Sequence, residues 1–247
     1  MTIAVFGATG QLGRLTIDAL LARGVAADRI RALGRNPERL AELADAGVAT
    51  FTIDLDGAST LAVPLRGADE VFLISGSEVG KRIPQHRAAI DAAVAAGVRR
   101  ITYTSAPRAD VSTLVLAPEH KATEEYLAAS GLTTTILRDG WYTENYQPDF
   151  GVAQATGVIA NSVGATARIA SAPRTDFAEA AAIVLTTDGH DGKVYEVSGD
   201  TAWTWPEFAE AASQVLGKPI EYKAITVDEE RVALAAAGLP APVVDLV

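Results

Sequence analysis

"TIAVFGATGQLGRLTIDALLARG", residues 2–24, carries a strand, a glycine turn and a helix in immediate succession. The run 2–6 is apolar and β-branched and stops at Gly7, the pattern of a strand buried on both faces. Apolar residues then recur at Leu12, Leu15, Ile17, Leu20 and Leu21, and the run ends on Gly24. That is helical spacing with a glycine stop. Between the two elements stand Gly7, Gly10 and Gly13, spaced G-x-x-G-x-x-G. Glycine permits a tight turn and lets backbone N–H groups at a helix N-terminus approach an anion such as a pyrophosphate. A plain strand–helix turn is the alternative. The position of the glycines between a clear strand and a clear helix favours the anion site.

The same alternation continues outward. Strands are predicted at 29–33, 48–53, 70–75, 99–104 and 133–138, with helices at 37–46, 84–96 and 118–130. Repeated strand–helix units predict a parallel sheet with helices on both faces, and right-handed crossovers make it doubly wound. Beyond residue 140 the pattern loosens into aromatics and a glycine-rich stretch at 151–164. A helix at 175–187, a strand at 193–198, a helix from Thr204 and a strand at 219–225 follow. "TWPE" (204–207) has the form of a capping box, with Thr204 as cap and Glu207 reaching back. The expectation is a doubly wound α/β Rossmann domain over 1–140. Residues 141–247 form mainly a small C-terminal α+β substrate-binding lobe, with some segments returning to the sheet. The apolar stretch "PVVDLV" (242–247) suggests a chain that continues further.

Totals restrict the chemistry. The 247 residues carry a net charge of −10, which argues against nucleic acid and anionic membranes as partners. There is no cysteine, so disulfides, iron–sulfur clusters and thiol catalysis are excluded. The three histidines, His86, His120 and His190, have no ligand spacing, so no metal site is expected. No basic leader or membrane-length apolar run is present, and the expected location is the cytoplasm.

The end of the second strand distinguishes the two nicotinamide cofactors. NAD sites place an acidic residue there for the ribose 2′-hydroxyl. "RIRALGRNPER" (29–39) offers Arg35 and Asn36 instead, with Arg39 one turn on. An arginine fork suits a 2′-phosphate, which favours NADPH; the alternative for Arg35 is a solvated turn residue. Asp54, after the third strand, suits either the adenine amino group or an ordinary turn.

"GATGQLG", "RNPER", "LISGSEVGKRIPQHR" (73–87), "YTSAPRAD" (103–110), "EHKATE" (119–124), "LRDGWYTENY" (137–146) and "GKVYEVSGDTAWTW" (192–205) together resemble the NmrA-like atypical short-chain dehydrogenases. Within that family the chain is most similar to the type 2 NAD(P)H:quinone oxidoreductases, with triphenylmethane reductase a near relative. The resemblance implies a flavin-free NADPH enzyme, monomeric or homodimeric, that reduces quinones in a cleft between domain and lobe. It implies that Gly7, Thr9, Gly10, Gln11 and Leu12 line the pyrophosphate and Arg35 the 2′-phosphate. Ser75, Gly76 and Ser77 would border the ribose and nicotinamide, and Tyr103, Thr104 and Ser105 would face the nicotinamide. Arg138, Gly140, Trp141, Tyr142 and Asn145 would close the site beneath the substrate. Relatives usually have Asn where this chain has Asp139, which puts a charge at the first contact after the sixth strand.

Typical short-chain dehydrogenases pair a tyrosine acid with a lysine four residues later. "LVLAPEHKATEEYL" (114–127) has no such tyrosine. A quinone accepts hydride with little acid catalysis, so positioning supplies most of the rate. Helical spacing puts His120, Thr123 and Leu127 on one buried stripe and Lys121, Glu125 and Ala128 on a solvent face. His120 is the candidate to contact the ribose or substrate and, with an ordinary imidazole pKa, to give a proton; a buried structural histidine is the alternative. Tyr142 and Asn145 complete the candidate catalytic set. His86 is expected to cap or pack its helix. Trp141 and Tyr142 suit substrate stacking or core, and Trp203 and Trp205 an anchor for the lobe. An aromatic polyketide tailoring enzyme, reductase or monooxygenase, and a non-catalytic NADP(H) sensor are the two other functions compatible with the same scaffold.

Overall fold

The computed structural model describes residues 1–239 and Val244. In chain order the strands are β1 (Ile3–Phe6), β2 (Ile30–Gly34), β3 (Ala49–Thr52), β4 (Glu70–Leu73), β5 (Arg100–Ser105), β6 (Thr133–Asp139), β7 (Val158–Asn161), β8 (Val194–Val197) and β9 (Glu221–Ala224). The α-helices are α1 (Gln11–Ala22), α2 (Pro37–Asp45), α3 (Ala62–Leu65), α4 (Arg82–Ala95), α5 (Ala117–Ala129), α6 (Gln147–Thr156), α7 (Arg174–Thr186), α8 (Trp205–Leu216) and α9 (Val227–Ala236). The chain divides into two compact units, Met1–Gly140 with Pro173–Ser198, and Trp141–Ala172 with Gly199–Val247.

The first unit is built on a seven-stranded parallel sheet of order β3-β2-β1-β4-β5-β6-β8. Both faces of the central strands carry apolar residues because both are covered. Ala4 and Phe6 join Ile90, Tyr103 and Leu127 on the α4/α5 side. Ile3 and Val5, offset by one residue, join Ile17, Leu20 and Leu185 on the α1/α7 side. The winding reverses between β1 and β4, and at such a switch point the loops leaving the strand ends part to form a crevice. The doubly wound Rossmann architecture expected from the strand–helix alternation is the one observed.

The second unit has its own core, in which Ala153, Ile159, Trp205, Ala209 and Ile220 are buried. β7 pairs in parallel with β9. Both halves of the Thr204–Glu207 capping box are present. The glycine-rich stretch 151–164, to which the sequence pattern assigns no element, holds the end of α6 and all of β7. Gly157 ends α6 at φ 80° and sends the chain into β7, a left-handed stop that glycine adopts without strain. Of the apolar stretch 242–247, only Val244 is among the described residues. Among the described residues no helix is long and apolar enough to cross a membrane, and no group of three acidic or histidine side chains is placed to hold a metal ion.

Candidate functional site

The turn after β1 is a cradle that only glycine allows. Gly7 sits at φ 75°, and its carbonyl accepts from Gly10 N–H at 2.8 Å. A Cβ on Gly13 would lie 2.2 Å from that same carbonyl oxygen. The third glycine therefore lets α1 start directly against the loop. Gly34, at the end of β2, is held open by the other wall, since a Cβ there would come within 2.4 Å of Thr9. No side chain caps α1, so the positive end of its dipole faces the loop and suits an anion.

From this cradle a cleft of about 400 Å³ runs between the loops leaving β2, β3 and β4. Gly7, Thr9, Gly10, Arg35, Asp54, Ser75, Gly76 and Ser77 all line it. Gly34, Asn36, Arg39, Ile53, Leu55, Ile74 and Gln85 also contribute. Asn36 caps α2 by accepting from Arg39 N–H at 2.9 Å, and the Arg39 guanidinium donates to Thr9 O at 2.8 Å. Asp54 accepts from Asp56 N–H at 3.0 Å, an Asx turn on the cleft wall, so it is a turn aspartate and a lining residue at once.

The loop leaving β4 is fixed from beneath by buried polar groups. His86 Nε2 lies 3.1 Å from Gly76 N and must accept, since the backbone can only donate. The neutral ring then carries its proton on Nδ1, which donates to Thr123 Oγ1 at 2.9 Å; Thr123 in turn donates to Glu119 O at 2.8 Å. Burial lowers the His86 pKa to about 3, and the charge of Arg82, with that of His120 whenever it is protonated, acts in the same direction, so this tautomer persists at neutral pH. Arg82 donates from Nε to Gly76 O and pairs with Glu119 at 3.2 Å. Thr104 Oγ1 accepts from Ser75 N–H at 2.9 Å. His86 was expected only to cap or pack. The stripe Arg82, His86, Ala89, Ile90, Ala93, all buried on α4, is the sequence signal that would have placed it under the loop.

A family model for NAD(P)H-binding proteins matches residues 7–188, a span that contains this cradle and cleft. The chain belongs to that NAD(P)H-binding family. It is 44% identical over 244 residues to quinone oxidoreductase 2 of Escherichia coli, covering 99% of this chain and 85% of the relative. The crystal structure of the E. coli NADPH-dependent quinone oxidoreductase complexed with NADPH matches with a TM-score of 0.94, covering 99% of this chain and 86% of that one. The triphenylmethane reductase of Citrobacter sp. complexed with NADP(H) matches with a TM-score of 0.94 at 34% identity, covering 100% and 87%. The similarity to NmrA-like reductases drawn from the sequence motifs is borne out.

Several residues that the family pattern assigns to the site are not among those lining this cleft. Tyr103 is fully buried within the α4/α5 core, so its ring does not face the cleft. His120 is on the expected buried stripe with Thr123 and Leu127, and its Nδ1 is 2.8 Å from the Tyr103 hydroxyl. Burial lowers its pKa to about 4, so it is uncharged at neutral pH and does not offer the proton expected of an ordinary imidazole. Lys121 is exposed, as its stripe predicted. Ser105 donates to Glu124. Arg138 is saturated by carboxylates, with Glu124 at 2.7 Å, Asp110 at 2.8 Å and Glu196 at 2.9 Å; it ties β6 to α5 and β8. Leu12 is buried, and Gln11 lines a shallow groove beside α1 with Arg14. Gly140 packs on Val197, whose carbonyl accepts its N–H at 2.7 Å. Asp139 does not carry the expected charge. It is buried with Oδ1 unpaired, and burial raises its pKa to about 8.

Trp141, Tyr142 and Asn145 belong to the second unit. Tyr142 bridges to Ala172, its carbonyl accepts from Asn145 N–H at 3.0 Å, and Trp141 is 48% exposed. Trp203 and Trp205 pack with Tyr146 and Phe208 in an aromatic cluster of that unit.

Proposed function

We propose that this protein is an NADPH-dependent oxidoreductase that transfers hydride to a quinone or a similar flat, conjugated acceptor. The observation that carries the proposal is the 44% identity, over 99% of the chain, to quinone oxidoreductase 2 of E. coli. The glycine cradle and cleft fit the nicotinamide cofactor: Gly13 lets α1 pack directly against the Gly7–Ala8 backbone, and the uncapped N-terminus of that helix suits a pyrophosphate.

NADPH supplies the hydride, and with one proton from solvent the quinone becomes a hydroquinone. The N-terminus of α1 holds the pyrophosphate by its N–H groups and dipole. Arg35 and Arg39, on the cleft wall, take the 2′-phosphate. Ser75, Gly76 and Ser77 border the reacting end, and the buried His86–Thr123 chain and Arg82 keep that loop from drifting. Tyr142 and Asn145 take the acceptor-side roles that the family pattern gives them.

Among the described residues no Tyr–Lys pair of that kind stands on α5. Lys121 is on the surface, and His120 is buried and neutral. Such a site suits an acceptor whose reduced form is a weak base, and it disfavours simple ketones and alcohols. A cytoplasmic location suits a user of NADPH, and a homodimer is the proposed assembly, open to light scattering.

The test is NADPH oxidation with benzoquinones and naphthoquinones beside an unactivated ketone. Turnover is expected with the quinones only. Tight NADP⁺ binding without turnover of any quinone would sink the proposal.

A further inference from the structure

Arg35 and Glu78 close an ion pair over the phosphate cradle. Arg35 follows β2, Glu78 lies in the loop after β4, and the sheet order places β1, with its glycine turn, between these two strands. The Arg35 guanidinium donates to Glu78 Oε1 at 2.7 Å. The other oxygen, Oε2, accepts from Lys81 Nζ at 2.9 Å. One carboxylate thus gathers two cations at the rim of the cleft that Arg35 and Ser77 line. The hydrogen bonds from Lys81 and Arg35 hold the Glu78 carboxyl below the usual carboxylate range, so it stays ionised at neutral pH.

The arrangement has the chemistry of a phosphate site already filled. Two oxygens of one anion accept from a guanidinium and an ammonium, as two oxygens of a phosphomonoester would. The side chains of Arg35, Glu78 and Lys81 are 67%, 35% and 58% exposed, so nothing buried locks them together. An exposed pair of this kind is weak and exchangeable, and a dianionic phosphate is the stronger partner for the same cations.

We propose that Glu78 is a specificity-determining residue of the nucleotide site, an internal competitor for Arg35 that a 2′-phosphate must displace and a plain ribose 2′-hydroxyl need not. The proposal rests on NADPH being the cofactor. It makes Glu78 a brake on NADP(H) affinity while leaving NADH affinity alone.

The experiment measures dissociation constants of NADPH and NADH, without acceptor, by calorimetry on the wild type, Glu78→Gln, Arg35→Ala and the double variant. The expected result is that Glu78→Gln tightens NADPH roughly two- to fivefold, the scale of losing one exposed ion pair, and leaves NADH unchanged. In the Arg35→Ala background the same substitution should have a much smaller effect, because only Lys81 is then left to be released. High salt should shrink the effect. Equal tightening of both nucleotides, weaker NADPH binding, or a gain undiminished by Arg35→Ala would each overturn the proposal while leaving the cofactor assignment intact. A wild type that does not prefer NADPH to NADH, or an Arg35→Ala variant that weakens both equally, would overturn the cofactor assignment and the proposal with it.

Discussion

The Tyr103 hydroxyl and Nδ1 of His120 meet at 2.8 Å, and both side chains are buried. Their contact is part of the core, and its consequence is a pH dependence of folding. His120 has an ordinary pKa near 6.5 when unfolded and about 4 when folded. Above pH 6.5 neither state holds a proton, and the buried ring costs nothing extra. As the pH falls from 6.5 to 4 the unfolded chain takes up a proton that the folded chain refuses, so stability is lost.

His120→Gln removes that titration. Relative to the variant, the wild type should lose up to about 1.4 kcal/mol of stability for each pH unit over that window. Urea unfolding at pH 7 and pH 4.5 checks it. A constant difference between the two proteins would show that His120 does not titrate as argued. The comparison with the variant is needed because Glu70, raised to about 7 chiefly by burial, and Asp139 shift the wild-type curve the opposite way.

Asp139 gives the reverse sign. Its folded pKa is raised to about 8 by burial against 3.8 unfolded. The folded chain keeps a proton that the unfolded chain releases, so stability present at low pH is lost as the pH rises from about 4 through 8. Asp139→Asn carries no such group. The variant should therefore gain on the wild type steadily with pH, by several kcal/mol at pH 8.5, while differing little at pH 4. Thermal melting at both pH values decides it, and an equal shift in Tm at the two would refute a buried, protonated Asp139.

The glycine cradle predicts a contrast between two glycines. Gly13→Ala puts a Cβ 2.2 Å from Gly7 O, so α1 must move off the loop. The NADPH Kd should rise more than tenfold, with stability falling by roughly 2 kcal/mol or more. Gly151→Ala lies inside α6 with open space around it. It should stabilise the chain by about 0.5–1 kcal/mol and leave the Kd unchanged. Nucleotide titration and denaturant melts on both variants check the pair.

The cradle was legible because backbone geometry demands glycine at fixed positions, and the demand shows in spacing alone. Arg35 was legible because it ends a strand whose run of apolar residues is plain. Glu78 was not, since the pair joins residues 43 apart in sequence through loops that meet only by strand order. Tyr103 and Arg138 do not line the cleft, for a related reason. A residue at a strand's C-terminal end points toward the ligand or into a helix according to the pleat, and in β5 and β6 the pleat turns both toward α5. β7 escaped notice because it is only the four residues Val158–Asn161, inside a glycine-rich stretch whose pattern gives no clear period.

His86 offers the sharpest test of how the β4 loop is held. Its Nε2 accepts the Gly76 N–H, its Nδ1–H donates to Thr123, and Thr123 passes the chain on to Glu119. The direction of every bond follows from the one backbone donor that cannot be reversed. His86→Ala leaves the Gly76 N–H and the Thr123 oxygen without their partner, at a cost of about 1–3 kcal/mol for each buried group so left. Part of that cost should appear as a looser loop, read as a roughly tenfold higher NADPH Kd and KM with kcat less affected. His86→Gln keeps an acceptor at the far end of the side chain and should recover much of the affinity. A merely space-filling role predicts something else: both variants would lose stability according to the volume removed, and neither would move the Kd. Isothermal titration with NADPH on the two variants separates these outcomes, and an unchanged Kd in His86→Ala would return His86 to the core.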